Sequence, residues 1–291
     1  MTPRSTLSLL CSLTVLIAIG CNKDAPPNSD TAAVAATPAA AAAPNVVTVN
    51  ARDFAFEAPA EIPAGMTTFR LVNQGPDIHH IQLLRLDEGK TVDSLMAAFK
   101  AGGPPPAWAK DAGGPNAPTP GEESNYTTML EPGNYAMICF IDTPDKVPHF
   151  VKGMVKPITV TAAPSGAVAA AEPTADVTMK LVDYAFELSK PLAAGRQTIR
   201  VENGATQPHE VFLIQFAPGK NMQDLMTWAK TYKGPPPGKA MGGVTAIASN
   251  DHGTFSVDLP AGDYGLICFV PDAKDGKPHL AHGMTKEIKI T

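Results

Sequence analysis

The chain has 291 residues, of which 44% are hydrophobic and 18% charged, and its formal net charge is −5. That balance excludes a disordered chain and offers no basic surface for nucleic acid or anionic lipid. Its 29 prolines and 24 glycines, with few aromatic residues, favour loop-rich β structure over a helical bundle.

Residues 1–20 read as an export signal: an early arginine, then a short apolar run and small residues before Cys21. The run is shorter than the roughly 20 apolar residues that a spanning helix needs. AIGC at 18–21 resembles the lipobox of bacterial lipoproteins, which makes Cys21 the expected lipid-modified residue. The expected location is therefore outside the cytoplasm, periplasmic or cell-surface, with the membrane reached through the lipid alone. Residues 21–44 are rich in Ala and Pro and have no period to bury, so they read as a flexible tether.

After the tether the chain repeats itself. Asp53-Phe-Ala-Phe56 returns as Asp183-Tyr-Ala-Phe186, and Gly65, Asn73 and His79 return as Gly195, Asn203 and His209, all 130 residues on. Tyr135 and Cys139 return as Tyr264 and Cys268 after 129, and His149 and Met154 as His279 and Met284 after 130. The Ala/Pro/Gly stretch 163–175 divides the copies, giving units 45–162 and 176–291. Each is about 115 residues, enough for its own core.

Within each unit the strand signals come in the same order. VVTVNARDFAFEAP and VTMKLVDYAFEL collect β formers. TTFRLVN and QTIRVEN alternate before an Asn turn, and HIQLLRL and EVFLIQF follow the first histidine. NYAMICF and DYGLICF run apolar into the cysteine, and KPITVT and KEIKIT close the units. One helix is expected in each, capped by Thr91 or Asn221. Val92, Leu95, Met96 and Phe99, and then Met222, Leu225, Met226 and Ala229, form apolar stripes read as packing faces rather than soft-metal ligands. The GPPP at 103–106 and 234–237 reads as a rigid turn.

Each unit therefore holds Asn-x5-His, a distant Tyr-x3-Cys, and a loop closing on His-x3-Gly-Met. Two imidazoles, a thiolate and a thioether are the donor set of a trigonal copper site with a weak axial Met. A Cys139–Cys268 disulfide is the competing account in an oxidising compartment, and it needs the Cα atoms within about 7 Å. His80, His252 and His282 are left over. His282 is a possible alternative to His279, against which Lys152 stands at its counterpart.

On these motifs both units resemble cupredoxins, the plastocyanin and azurin family of blue-copper domains. The resemblance implies an all-β fold: two tandem Greek-key sandwiches, each with one short inserted helix. It implies copper held by His79, Cys139, His149 and Met154, and a second copper held by His209, Cys268, His279 and Met284. It also implies that Asn73 and Asn203 shape the turn before the first histidine, and that the residue after that histidine braces the cysteine loop. That residue is commonly Asn, and here it is His80 or Glu210. The nine or ten residues between Cys and the second His are similar to the longer loop of copper nitrite reductases. Family partners are redox proteins such as cytochromes or a terminal oxidase or reductase. The chain has no His-x-His, and Ile138 and Ile267 precede the cysteines, which points to an electron carrier and away from an enzyme. Copper sequestration or delivery, and a metal-free binding module, are the alternative readings.

Overall fold

A computed structural model describes residues 42–103, 105–230 and 234–291. The signal, Cys21 and nearly all of the tether lie outside the described residues. Those described fall in one compact unit. Among them no helix is long and apolar enough to cross a membrane.

The structure is mostly β with two short α-helices. In the first repeat the strands are β1 (Asn45–Arg52), β2 (Ala55–Glu57), β3 (Glu61–Pro63), β4 (Gly65–Asn73) and β5 (Gln82–Leu86). After α1 (Val92–Lys100) come β6 (Ala109–Asp111), β7 (Glu123–Leu130), β8 (Gly133–Ile138) and β9 (Val155–Thr161). The second repeat has β10 (Val177–Val182), β11 (Ala185–Leu188), β12 (Gly195–Asn203) and β13 (His209–Phe216). After α2 (Met222–Trp228) come β14 (Gly238–Ile247), β15 (His252–Leu259), β16 (Gly262–Ile267) and β17 (Thr285–Ile290). Thr91 caps α1 by accepting from Ser94 N. Asn221 caps α2 in a reciprocal box with Asp224.

Alternating burial along β1, β4, β10 and β12 gives each strand one apolar face. In the first repeat Val47, Val49, Phe69 and Leu71 share a buried cluster with Leu83, Met137 and Ile158 from the five-stranded sheet β3-β9-β8-β5-β6, and with Cys139, which directly follows β8. In the second, Met179, Leu181, Ile199 and Val201 meet Val211, Leu213 and Leu266 from the sheet β14-β13-β16-β17, and Cys268, which directly follows β16. Both cysteines thus sit at the ends of core strands.

One sheet of eight strands, β11-β10-β12-β15-β7-β4-β1-β2, runs through both repeats. It joins them where Thr127 faces Thr254, with Asn125 exchanging side-chain hydrogen bonds with the Ser256 backbone at 2.7 and 2.8 Å. A second seam lies between residues 112–118 and β14, with bridges Ala112–Ile247, Pro115–Val244 and Pro118–Met241. Position 112 corresponds to 241 and position 118 to 247, so the outer bridges are one pairing seen twice about a local two-fold axis. The hydrogen bonds repeat likewise: Gly113 N to Ala246 O at 3.0 Å mirrors Gly242 N to Ala117 O at 3.2 Å. Beside the seam, Gly114 and Gly243 each let the chain lie close to a strand of their own repeat. A Cβ on either, at φ +151° and +114°, would lie 2.0 Å from the carbonyl oxygen of Ile81 or Val211. The segment between the repeats is anchored at its end, where Glu172 pairs with Arg200 and accepts from Thr254 Oγ1 at 2.8 Å.

Candidate metal centres

The turn before the first histidine is held from within. Asn73 Nδ2 donates to Asp77 O and Pro118 O at 2.9 and 3.1 Å, and Asn73 Oδ1 accepts from Gly75 N. Asn203 does the same with Gln207 O, Ile247 O and Ala205 N. This buried amide satisfies three backbone groups that the turn would otherwise leave unpaired. It fixes where His79 and His209 leave the turn.

The cysteine loop is tied at both ends. Cys139 N donates to Met154 O at 3.1 Å and Phe150 N to Cys139 O at 3.0 Å, and Cys268, Met284 and Leu280 repeat the pattern. The histidine opens a short 3-10 turn, His149–Lys152 or His279–His282, which Gly153 or Gly283 closes at φ 112° or 95°. Glycine adopts that backbone without strain, which explains the Gly of His-x3-Gly-Met. The additional loop residues form a hairpin whose ends meet at Asp142–Pro148 or Pro271–Pro278, so the histidine stays beside the cysteine.

His79, Cys139 and His149 converge, and so do His209, Cys268 and His279, each group buried with its donor atoms within 4.8 Å of one another. In the first, the two Nδ1 atoms lie 3.1 Å apart and Cys139 Sγ lies 3.5 Å from His149 Nδ1. In the second, Cys268 Sγ is 3.8 Å from His209 Nδ1 and 3.3 Å from His279 Nδ1. Metal bonds of about 2.0 Å to nitrogen and about 2.3 Å to sulfur, in a trigonal set, require separations of roughly 3.5 and 3.7 Å. The four separations above are close to those sizes. Met154 and Met284 are fully buried in the same cores, bonded through their backbones to the cysteine and the second histidine.

Burial sets the protonation states. It lowers the pKa of His79 and His209 against the opposing pull of Asp53 and Asp183. Desolvation, and then the neighbouring histidine, brings His149 and His279 down to about 4. The Cys139 thiol is pushed up to about 12 by burial, and Cys268 also rises. Neutral imidazoles with lone pairs aimed at a thiol suit a cation that displaces the thiol proton. Both thiols are free.

The residues expected to brace the cysteine loop meet it. His80 Nε2 accepts from Phe140 N at 2.9 Å, and Glu210 Oε1 accepts from Phe269 N at 2.8 Å. Neither is Asn, yet both supply the acceptor. Two contacts at the candidate site were not legible in the sequence: His79 Nε2 donates to Asp53 Oδ1 at 2.8 Å and His209 Nε2 to Asp183 Oδ1 at 2.6 Å. With the proton on Nε2, the Nδ1 lone pair is left for the site. The repeat of Asp53 as Asp183 was the available signal. His282 lies elsewhere, stacked on Tyr184 at 5.1 Å and 3.2 Å from Asp275.

No family model and no curated protein matches the chain. Among solved structures it is similar to an auracyanin from Roseiflexus castenholzii, at 22% identity over 42% of this chain and all of that one, with a TM-score of 0.27. It is also similar to a copper-containing nitrite reductase from Thermus scotoductus, at 12% identity over 86% of this chain and 62% of that one, TM-score 0.25. A blue copper oxidase from Nitrosomonas europaea matches at 13% over 84% and 86%, TM-score 0.26. Its structural neighbours are cupredoxin-type copper proteins. At these TM-scores the likenesses assign no chemistry to this chain. The expectation that it is not an enzyme is corrected to an open question, since a nitrite reductase and oxidases stand among the neighbours. The missing His-x-His removes one ligand arrangement and leaves enzyme activity open.

Proposed function

We propose that each repeat, 45–162 and 176–291 on either side of 163–175, is a Greek-key cupredoxin-like sandwich that binds one copper ion. His79, Cys139, His149 and Met154 form one ligand set, and His209, Cys268, His279 and Met284 the other. The protein exchanges single electrons with redox partners such as cytochromes or a terminal oxidase or reductase. It does so outside the cytoplasm of a bacterium, tethered to a membrane through Cys21. The observation that carries the reading is the twofold convergence of two Nδ1 atoms on one Sγ, each first histidine held by a carboxylate from behind.

Copper, when bound, supplies a one-electron couple. The chain's own residues hold the donors in place and keep water out. Asp53 and Asp183 hold the tautomer, Asn73 and Asn203 fix the approach of the first histidine, and the tied loop fixes the other donors. Few atoms have to move when the charge changes, which favours fast exchange over ready release of metal.

Titration of the mature protein with copper, followed by visible absorption and electron paramagnetic resonance, tests this. Two equivalents are expected, each with an intense thiolate band. Absence of stoichiometric copper after growth in copper would reject it. Rapid loss of copper to a chelator, with slow redox exchange, would favour copper delivery.

Loading expels a thiol proton, so affinity is expected to fall about tenfold per unit as pH drops from neutral. Below about pH 4 the fall steepens, because His149 and His279 then also bind protons. Chelator competition across the range measures it, and a flat profile would contradict a protonated thiol in the metal-free protein. In the same assay Asp53→Ala should weaken the first centre about 10- to 100-fold and leave the second alone, and Asp183→Ala the reverse.

A further inference from the structure

We propose that Asn116, a residue of the first repeat, is a positioning residue for the metal centre of the second. The proposal rests on reading His209, Cys268, His279 and Met284 as that centre's ligands. β14 bulges opposite Glu210: His209 pairs with Ile247 and Val211 with Val244, so Thr245 and Ala246 face the single residue Glu210, which has no registered partner in the ladder. The seam between the repeats places Asn116 at this gap. Its side chain is buried, and Nδ2 donates to Glu210 Oε2 at 3.2 Å, Val211 O at 3.2 Å and Val244 O at 3.4 Å. Asn116 Oδ1 accepts from Ala117 N at 2.8 Å, which fixes the amide's orientation.

Glu210 passes the constraint on. Its Oε1 accepts from Phe269 N, the amide following Cys268, and its own N–H donates to Cys268 Sγ at 3.4 Å. A buried carboxyl with one oxygen on Phe269 and the other on Asn116 has a single rotamer. Asn116 therefore sets the side chain that holds the cysteine loop.

The arrangement is one-sided. The counterpart of Asn116 across the local two-fold is Thr245, whose hydroxyl donates to Ile81 O at 2.9 Å and reaches Gly114 O at 3.3 Å. His80 takes its hydrogen bond from Phe140, within its own repeat. A side-chain chain from one repeat to the bracing residue of the other is thus described at the second centre and not at the first.

The test uses the full chain. In a Cys139→Ser background only the second centre reports. There Asn116→Ala is expected to shift the visible band and reduction potential, and to speed copper loss to a chelator at least tenfold. Glu210→Gln keeps an acceptor for Phe269 N but sets an amide NH2 against Asn116, so it should produce a shift of its own. Adding Asn116→Ala to Glu210→Gln should then change little further, because the two act through one contact. In a Cys268→Ser background Asn116→Ala should leave the first centre unchanged. Without metal, Asn116→Ala should raise the reaction rate of Cys268 with a disulfide reagent at least tenfold and leave Cys139 as it was.

A full Asn116→Ala effect persisting in Glu210→Gln, equal shifts at both centres, or no shift at either would overturn the proposal. If the Cys139→Ser protein takes up no copper, the copper reading is what has failed. The thiol rates then still decide whether Asn116 positions the loop.

Discussion

Copper-loaded Cys139→Ser protein will lose the thiolate band and the copper of the first centre and keep those of the second. Cys268→Ser will do the reverse, and the double variant will have no intense visible absorption. The expectation follows from the donor sets. Each centre has one sulfur that can become a thiolate, and it lies 3.3–3.8 Å from imidazole nitrogens. A serine hydroxyl is a much weaker acid and a harder donor, so it supplies neither the charge nor the soft partner that copper selects. Each replacement buries a hydroxyl in an apolar core, at a cost of about 1–3 kcal/mol. Cys139→Ala and Cys268→Ala therefore serve as controls for folding. An unchanged spectrum in the double serine variant would remove the basis for the proposed function.

The largest effect on stability is expected at a glycine. Gly243→Ala would place its Cβ 2.0 Å from Val211 O and 3.0 Å from Val211 C, both backbone atoms inside the β13–β14 pairing. No side-chain rotation relieves that contact. The strands must separate where Asn116 enters and where β13 leaves His209. A loss of about 4 kcal/mol or more is expected, in the range that marks a backbone clash rather than ordinary substitution. Gly276→Ala provides the comparison, since its φ is +70° with nothing within 4 Å of the added Cβ. It should cost about 1 kcal/mol, the ordinary penalty for a left-handed residue with a side chain. Denaturant unfolding of the two variants separates them. Equal midpoints would mean that the β13–β14 pairing tolerates a gap.

The sequence was most informative where its chemistry repeats. The 129–130 residue offsets expose the histidines, cysteines and methionines together; alternation marks β4 and β12, apolar runs mark β8 and β16, and clustered β formers mark β1, β5, β9 and their counterparts. Thr91 and Asn221 were recognisable because a cap is a local interaction between a side chain and the next turn. β14 was not recognisable. Its AMGGVT centre has the low strand propensity of two adjacent glycines, and it becomes a strand because they let other backbones approach closely. Asp53 and Asp183 were visible as repeated letters, but their role depends on contacts 26 residues away in sequence. The seam through Asn125, Asn116 and Thr245 was also out of reach, because polar residues at a buried interface look like exposed loop residues. The missing His-x-His and the isoleucines before the cysteines speak to one ligand arrangement only, so they do not exclude an enzyme.

The local two-fold between residues 112–118 and β14 has a consequence for a chain that carries both partners. Two separate copies pairing in this way would come apart on dilution, and every substitution in one would appear in the other. Joined through 163–175, the halves meet at an effective concentration of about millimolar whatever the protein concentration. They are also released from identity: His80 can stand opposite Glu210, and Asn116 opposite Thr245. On the copper reading, the two ions sit against unequal neighbours, so nothing obliges them to share one potential.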